Sequence, residues 1–150
     1  IERYAHGKIP VAAAIGCAVE DEPLRQAAMG LSALVDEAMA RLDYSTALEA
    51  VMRVVTQANQ YIEWTAPWKL AKQADGARRL QTVLNTLAEV IRVVSLTLEP
   101  FMPSVAEAMW QQLGCGTMPR RLQDASRWPG LAAGQAIGSL PILFPRADGA

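Results

Sequence analysis

The residues best equipped for chemistry cluster around Trp68. Lys69, Lys72, Arg78 and Arg79 all fall within the twelve residues that begin there. An aromatic ring beside several cations is what an unstacked nucleobase on a phosphate backbone requires: a π-face to stack on and charges to hold the strand. The same spacing also fits a Trp that plugs the end of a helical bundle with its Lys and Arg neighbours solvated, a common arrangement on helix-rich surfaces. Catalytic sets are harder to find. His6 lies in a segment that reads as loop, with no Ser or Cys motif around it. Asp36-Glu37 and Glu20-Asp21-Glu22 are adjacent acids at a helix surface and at a helix start, the second being where the helix dipole favours negative charge. No G-x-G-x-x-G, Walker A, H-E-x-x-H or G-x-S-x-G is present, so no catalytic residue is assigned.

Metal and redox chemistry are equally thin. A zinc site needs about four N or S ligands, whereas Cys17, Cys115 and His6 are the whole supply. The two cysteines stand 98 residues apart. A disulfide between them is open on paper, but nothing else suggests an oxidising compartment. They read as reduced thiols acting as small buried or half-buried apolar groups.

The chain has 150 residues, the size of one ordinary domain. With 51% hydrophobic and 19% charged residues it is too apolar to be disordered. A net charge of −1 excludes a strongly basic nucleic-acid wrapper. That balance hides an asymmetry, because residues 1–66 carry a formal −4 and residues 67–150 a formal +3. Four of the nine aromatic residues are Trp. No apolar stretch approaches the ~18 residues of a transmembrane helix. The opening Ile1-Glu2-Arg3-Tyr4, without Met or signal peptide, reads as a cut edge within a longer polypeptide.

Helices must position the Trp68 cluster. After a broken stretch over 1–20, Leu24, Ala28, Leu31, Val35, Ala38 and Leu42 recur at helical spacing, with Asp21 as N-cap and Pro23 in the first turn. A second helix is expected from Thr46, where Thr46 and Glu49 have capping-box spacing, with Leu48, Val51, Val55, Ala58 and Ile62 as its buried stripe. Arg53, Gln57, Gln60 and Trp64 fall on another face. Pro67 stops this helix. A short turn follows, and Asp75 then caps a third long helix whose stripe is Leu80, Leu84, Leu87, Ile91, Val94 and Leu98, closed by Pro100. A fourth runs from Pro103-Ser104, with a Ser104–Glu107 capping box, to Leu113 and stops at Gly114. The last 36 residues hold five glycines and four prolines. No convincing period-2 run appears. The expected fold is an all-α helix bundle over 1–114, with 115–150 an irregular, extended tail packed on it as part of the same domain.

The stretch Asn59-Gln60-Tyr61-Ile62-Glu63-Trp64-Thr65-Ala66-Pro67-Trp68-Lys69-Leu70-Ala71-Lys72 closely resembles the signature of the anticodon-binding domain of methionyl-tRNA synthetases, class I aminoacyl-tRNA synthetases in which an Asn-x-Tyr helix end runs into Ala-Pro-Trp. Gly7-Lys8-Ile9-Pro10, Glu99-Pro100-Phe101-Met102-Pro103 and Leu143-Phe144-Pro145-Arg146 resemble the family's entry loop, hinge and closing segment, so the likeness runs in order along nearly the whole chain. Bundles of other class I synthetases, for valine, leucine or isoleucine, share the general helix pattern, and a helical protein-interaction scaffold is the reading from a different class.

The resemblance implies a module that recognises the CAU anticodon of tRNA(Met) for a cytoplasmic methionine–tRNA ligase. It implies that Trp68 stacks on an anticodon base. Lys69, Lys72, Arg78 and Arg79 are candidate phosphate contacts. Asn59 and Tyr61 are expected to fix the Ala66-Pro67 turn by hydrogen bonds, with Pro67 pinning the Trp68 ring. The family's other anticodon readers, an Asn and an Arg, belong to a helix upstream of Ile1. ATP with Mg would act on an upstream catalytic domain of the same polypeptide, so no cofactor or metal is expected in this chain, nor a membrane or an oligomer. Trp64, where the family has a small or acidic residue, either widens the stacking surface or fills a groove, the groove coming first. Trp110 and Trp128 are expected to be packing residues.

Overall fold

The computed structural model describes residues 1–11, 19–138 and 143. A four-residue helix α1 (Glu2–Ala5) leads through a turn into Ile9, which is almost fully buried. Cys17 and Phe144-Pro145-Arg146 lie outside the described residues. The 4-and-3 spacing after Asp21 does give a helix, α2 (Glu22–Ala40), which buries Leu24, Ala28, Leu31, Val35 and Ala38. Leu42, expected to end that stripe, instead sits beyond the helix at φ 57 and is 71% exposed. Asp21 holds the N-cap position without a side-chain capping bond. Its carboxylate is used elsewhere, as described below.

The second helix, α3 (Tyr44–Thr65), starts before Thr46. Asp43 is its N-cap, accepting from the Thr46 N–H at 3.1 Å and from the Thr46 hydroxyl at 2.8 Å. A carboxylate at the positive end of the helix displaces the expected Thr46–Glu49 box. The buried positions are Ala47, Ala50, Val51, Val54 and Tyr61. Leu48 is exposed, and Val55, Ala58 and Ile62 are only half-buried. The expected stripe is therefore rotated. α3 packs chiefly against α2, and its Val55–Ala58–Ile62 side borders an open groove.

After the short α4 (Pro67–Leu70) comes α5 (Ala77–Leu98). Its N-cap is Gly76 rather than Asp75. A Cβ at Gly76 would stand 2.2 Å from the Leu70 carbonyl oxygen, so this close turn requires glycine. Of the expected stripe, Leu80, Leu84 and Val94 are buried, Leu87 and Leu98 half-buried, and Ile91 41% exposed. Much of α5 outside that stripe is buried too, including Asn85, Thr86, Glu89, Arg92, Ser95 and Thr97. Ser95 and Thr97 meet their hydrogen-bonding needs on carbonyls of their own helix.

The last helix, α6 (Pro103–Gln112), has Met102 as N-cap and no side-chain capping bond. The Ser104–Glu107 box does not form, because Glu107 pairs with Gln111 and Arg120 instead. Gly114, at φ 72, turns the chain into the tail. Residues 115–138 contain one 3₁₀ turn, Leu122–Ser126, that lies against α2 and α5. They bury Cys115, Ala125 and Leu131. Trp110 is 3% exposed and donates from Nε1 to the Met118 carbonyl, while Trp128 packs half-buried against the core. Burial pushes the Cys115 thiol pKa up, as for an inert apolar thiol. The tail returns to the N-terminal loop: Ile9 N–H donates to Gln135 O at 2.8 Å, and Ile137 N–H to Gly7 O at 2.9 Å. The single antiparallel bridge Lys8–Ala136 is the extent of β-pairing among the described residues, so the fold is all-α.

Candidate nucleic-acid interface

The α3–α4 junction presents Trp68. Ala66 adopts a left-handed conformation, φ 43 and ψ 63, and closes α3 with its N–H on Ile62 O at 2.9 Å. Pro67 occupies the first position of α4, where its missing N–H costs nothing. Pro67 is buried and Trp68 is 40% exposed. Part of the ring is therefore open to solvent while its neighbour Pro67 is covered. Lys69, Lys72 and Arg78 are exposed, and none forms an ion pair with a described residue.

Arg79 departs from the expected set of phosphate contacts. Its Nη1 donates to Asp21 Oδ2 and its Nη2 to Asp21 Oδ1, both at 2.6 Å, a bidentate pair with a fully buried carboxylate. This bond is the chief cause of its raised pKa. Tyr61 departs from its expected role as well. Its hydroxyl donates to Asp21 Oδ1 at 2.7 Å and does not reach the Ala66-Pro67 turn. Asn59 is exposed, and none of the described hydrogen bonds links its amide to that turn. The turn is held by backbone bonds, from Ala66 N–H to Ile62 O and from Lys69 N–H to Ala66 O.

Asp21 thus ties the start of α2 to the last turns of α3 and the first turn of α5, on both sides of the loop that carries Trp68. Composition and spacing miss this. Glu20-Asp21-Glu22 carries the same acidic signal whether its side chains cap a helix or cross the bundle. Tyr61→Phe tests the network. Loss of one hydrogen bond to a buried charge is expected to cost roughly 1.5–3 kcal/mol, read from urea unfolding. The phenol pKa is raised above its ordinary 10, first by burial and then by the hydrogen bond to Asp21. The fold holds the neutral phenol, so its contribution is complete below pH 10 and declines as pH rises above that. Tyr61→Phe is expected to make this alkaline decline shallower.

Trp64 is 60% exposed in the last turn of α3, beside a shallow surface depression lined also by Thr56, Asn59, Gln60, Ile62 and Glu63. Among the described residues no group of three His, Cys, Asp or Glu side chains is placed to hold a metal ion, and no helix is long and apolar enough to cross a membrane.

Residues 24–136 match the family model for the anticodon-binding domain of tRNA ligase. The chain is 36% identical to the methionine–tRNA ligase of Caldanaerobacter subterraneus, over 99% of the chain and 23% of that protein. It is 34% identical to the methionine–tRNA ligase of Streptomyces coelicolor, over 99% of the chain and 29% of that protein. Among solved structures, it superposes on free Mycobacterium tuberculosis methionyl-tRNA synthetase with a TM-score of 0.88 and 27% identity, covering 99% of the chain and 30% of that enzyme. The same enzyme in complex with methionyl-adenylate gives a TM-score of 0.87 and 28% identity over 94% of the chain and 27% of the enzyme. The chain therefore spans less than a third of the length of these relatives.

Proposed function

The chain belongs to the family of anticodon-binding domains of tRNA ligases, homologous to that part of methionine–tRNA ligases, and we propose that it holds the anticodon loop of tRNA(Met) for such a ligase. One observation carries the reading: an exposed Trp68 on a backbone-locked turn, flanked by three cations that no described residue neutralises. A base on that ring is worth roughly 1–3 kcal/mol, and it is held to the turn without ordering a flexible side-chain platform. Lys69, Lys72 and Arg78 supply phosphate attraction, while Arg79 contributes to the architecture beneath. CAU is the anticodon that a methionine-specific partner presents.

Methionine activation with ATP and Mg, and transfer to the tRNA 3′ end, fall to a catalytic domain of the same polypeptide in the cytoplasm. No glycine-rich phosphate loop of the kind that cradles ATP is written in this sequence.

Fluorescence titration of the chain with a CAU anticodon stem-loop, beside a stem-loop of scrambled loop sequence, tests the proposal. Preference for CAU is the expected result, and equal weak binding of both overturns it. Within that assay, Lys72→Ala is expected to lower affinity modestly and to flatten the slope of log K against log salt by about 0.7, the loss of one single-strand phosphate contact. An unchanged slope removes Lys72 from the interface.

A further inference from the structure

We propose that Trp64 is a second base-stacking platform of the same interface, taking the nucleotide next in the strand to the one on Trp68. The proposal rests on the anticodon-loop reading above. Nothing in the fold accounts for Trp64. At 60% exposure it lies outside the core, whereas Trp110 is 3% exposed and seals α6. A Trp left this open is unusual, since the residue is highly buried on average.

Position favours RNA as the occupant. Trp64 stands in the last turn of α3 and Trp68 in the only turn of α4, with the left-handed bend at Ala66 between them. Four residues span at most about 14 Å, so the two tryptophans belong to the same end of the bundle. Lys69 and Lys72 follow directly along the chain. The surroundings point the same way. Trp64 shares its depression with Ile62 and with Thr56, Asn59, Gln60 and Glu63, so an apolar floor is edged by side chains that donate and accept hydrogen bonds. An apolar floor with hydrogen-bonding edges matches a nucleobase, with its flat face and polar edge.

The test uses the 150-residue chain, a CAU anticodon stem-loop, and the same stem-loop with one abasic site at each loop position in turn. Trp64→Ala is expected to weaken the intact loop about tenfold, the scale of one base–aromatic stack, with helicity by circular dichroism unchanged. Trp64→Phe, which keeps a π-face, is expected to retain most of the affinity. One abasic position should cost the wild-type chain about tenfold and cost Trp64→Ala nothing further. That position should neighbour the one to which Trp68→Ala is indifferent. Wild-type affinity in Trp64→Ala, or a loss that no abasic position accounts for, overturns the second platform while Trp68 stands. Absence of wild-type binding, or no effect of Trp68→Ala, overturns the anticodon reading and this proposal with it.

Discussion

Trp68→Ala is expected to weaken binding of a CAU anticodon stem-loop at least about tenfold while leaving the helical fold intact. The magnitude follows from the stack. Roughly 1–3 kcal/mol is lost with the ring, and about 1.4 kcal/mol is a factor of ten in affinity. The fold survives because the ring is not what holds the turn. Pro67 is buried, Ala66 closes α3, and the Lys69 and Leu70 N–H groups bond back to Ala66 O, all without the indole. The charges survive as well, so the salt slope of Trp68→Ala should match the wild type. That separates it from Lys72→Ala, which alters the slope with a smaller change in affinity. Circular dichroism and a salt series of titrations make the comparison. Unchanged affinity would remove Trp68 from the interface and overturn the anticodon reading.

Glu89→Ala is expected to cost roughly 3–5 kcal/mol of stability, a large part of the 5–15 kcal/mol that holds a domain together. Glu89 is fully buried and accepts from Arg92 Nε at 2.8 Å. Its other oxygen accepts from the Gly130 and Leu131 N–H groups at 2.8 and 2.7 Å. Arg92 in turn donates to the Asp124 carbonyl at 2.9 Å and to that of Arg127. One ion pair on α5 therefore anchors both sides of the 124–131 segment. Truncation to Ala removes the counter-charge of a buried guanidinium and leaves one buried and one part-buried N–H group without an acceptor. Glu89→Gln keeps an acceptor for those N–H groups and should fall between. Urea unfolding gives the energies, and limited proteolysis should show earlier cleavage within 115–138 in Glu89→Ala. A cost below about 1 kcal/mol would mean that the tail is held by its apolar residues, Ala125 and Leu131 among them.

The two predictions differ in how far the sequence could have reached them. Trp68 was legible because its signal is local. A proline at the end of an apolar-periodic helix, an adjacent aromatic and cations within two turns all lie within a few residues of one another. Glu89 and Arg92 were invisible for the opposite reason. At i and i+3 on a helix whose expected apolar stripe lies elsewhere, their spacing is that of any solvated surface pair. They become buried only when a segment about 40 residues later in the chain lays its peptide N–H and C=O groups over them. Arg79 and Lys72 make the same point on the basic face. Both are cations a few residues from Trp68, and nothing local separates them. Asp21, distant in sequence, claims Arg79 and leaves Lys72 to solvent.

By itself the sequence determined the helices and the turn that displays Trp68, because periodicity, proline and glycine act over one or two turns of backbone. It also carried the family likeness, in the run from Asn59 to Lys72. Tertiary structure alone decided which polar side chains stay available. Buried polar groups must find partners, and the Asp21 carboxylate that takes Tyr61 and Arg79, like the Gly130 N–H that Glu89 accepts, comes from a segment 40 to 58 residues away. It decided as well that Trp64 faces solvent, since the packing of α3 against α2 and α5 turned its buried face away from the last-turn position that Trp64 occupies.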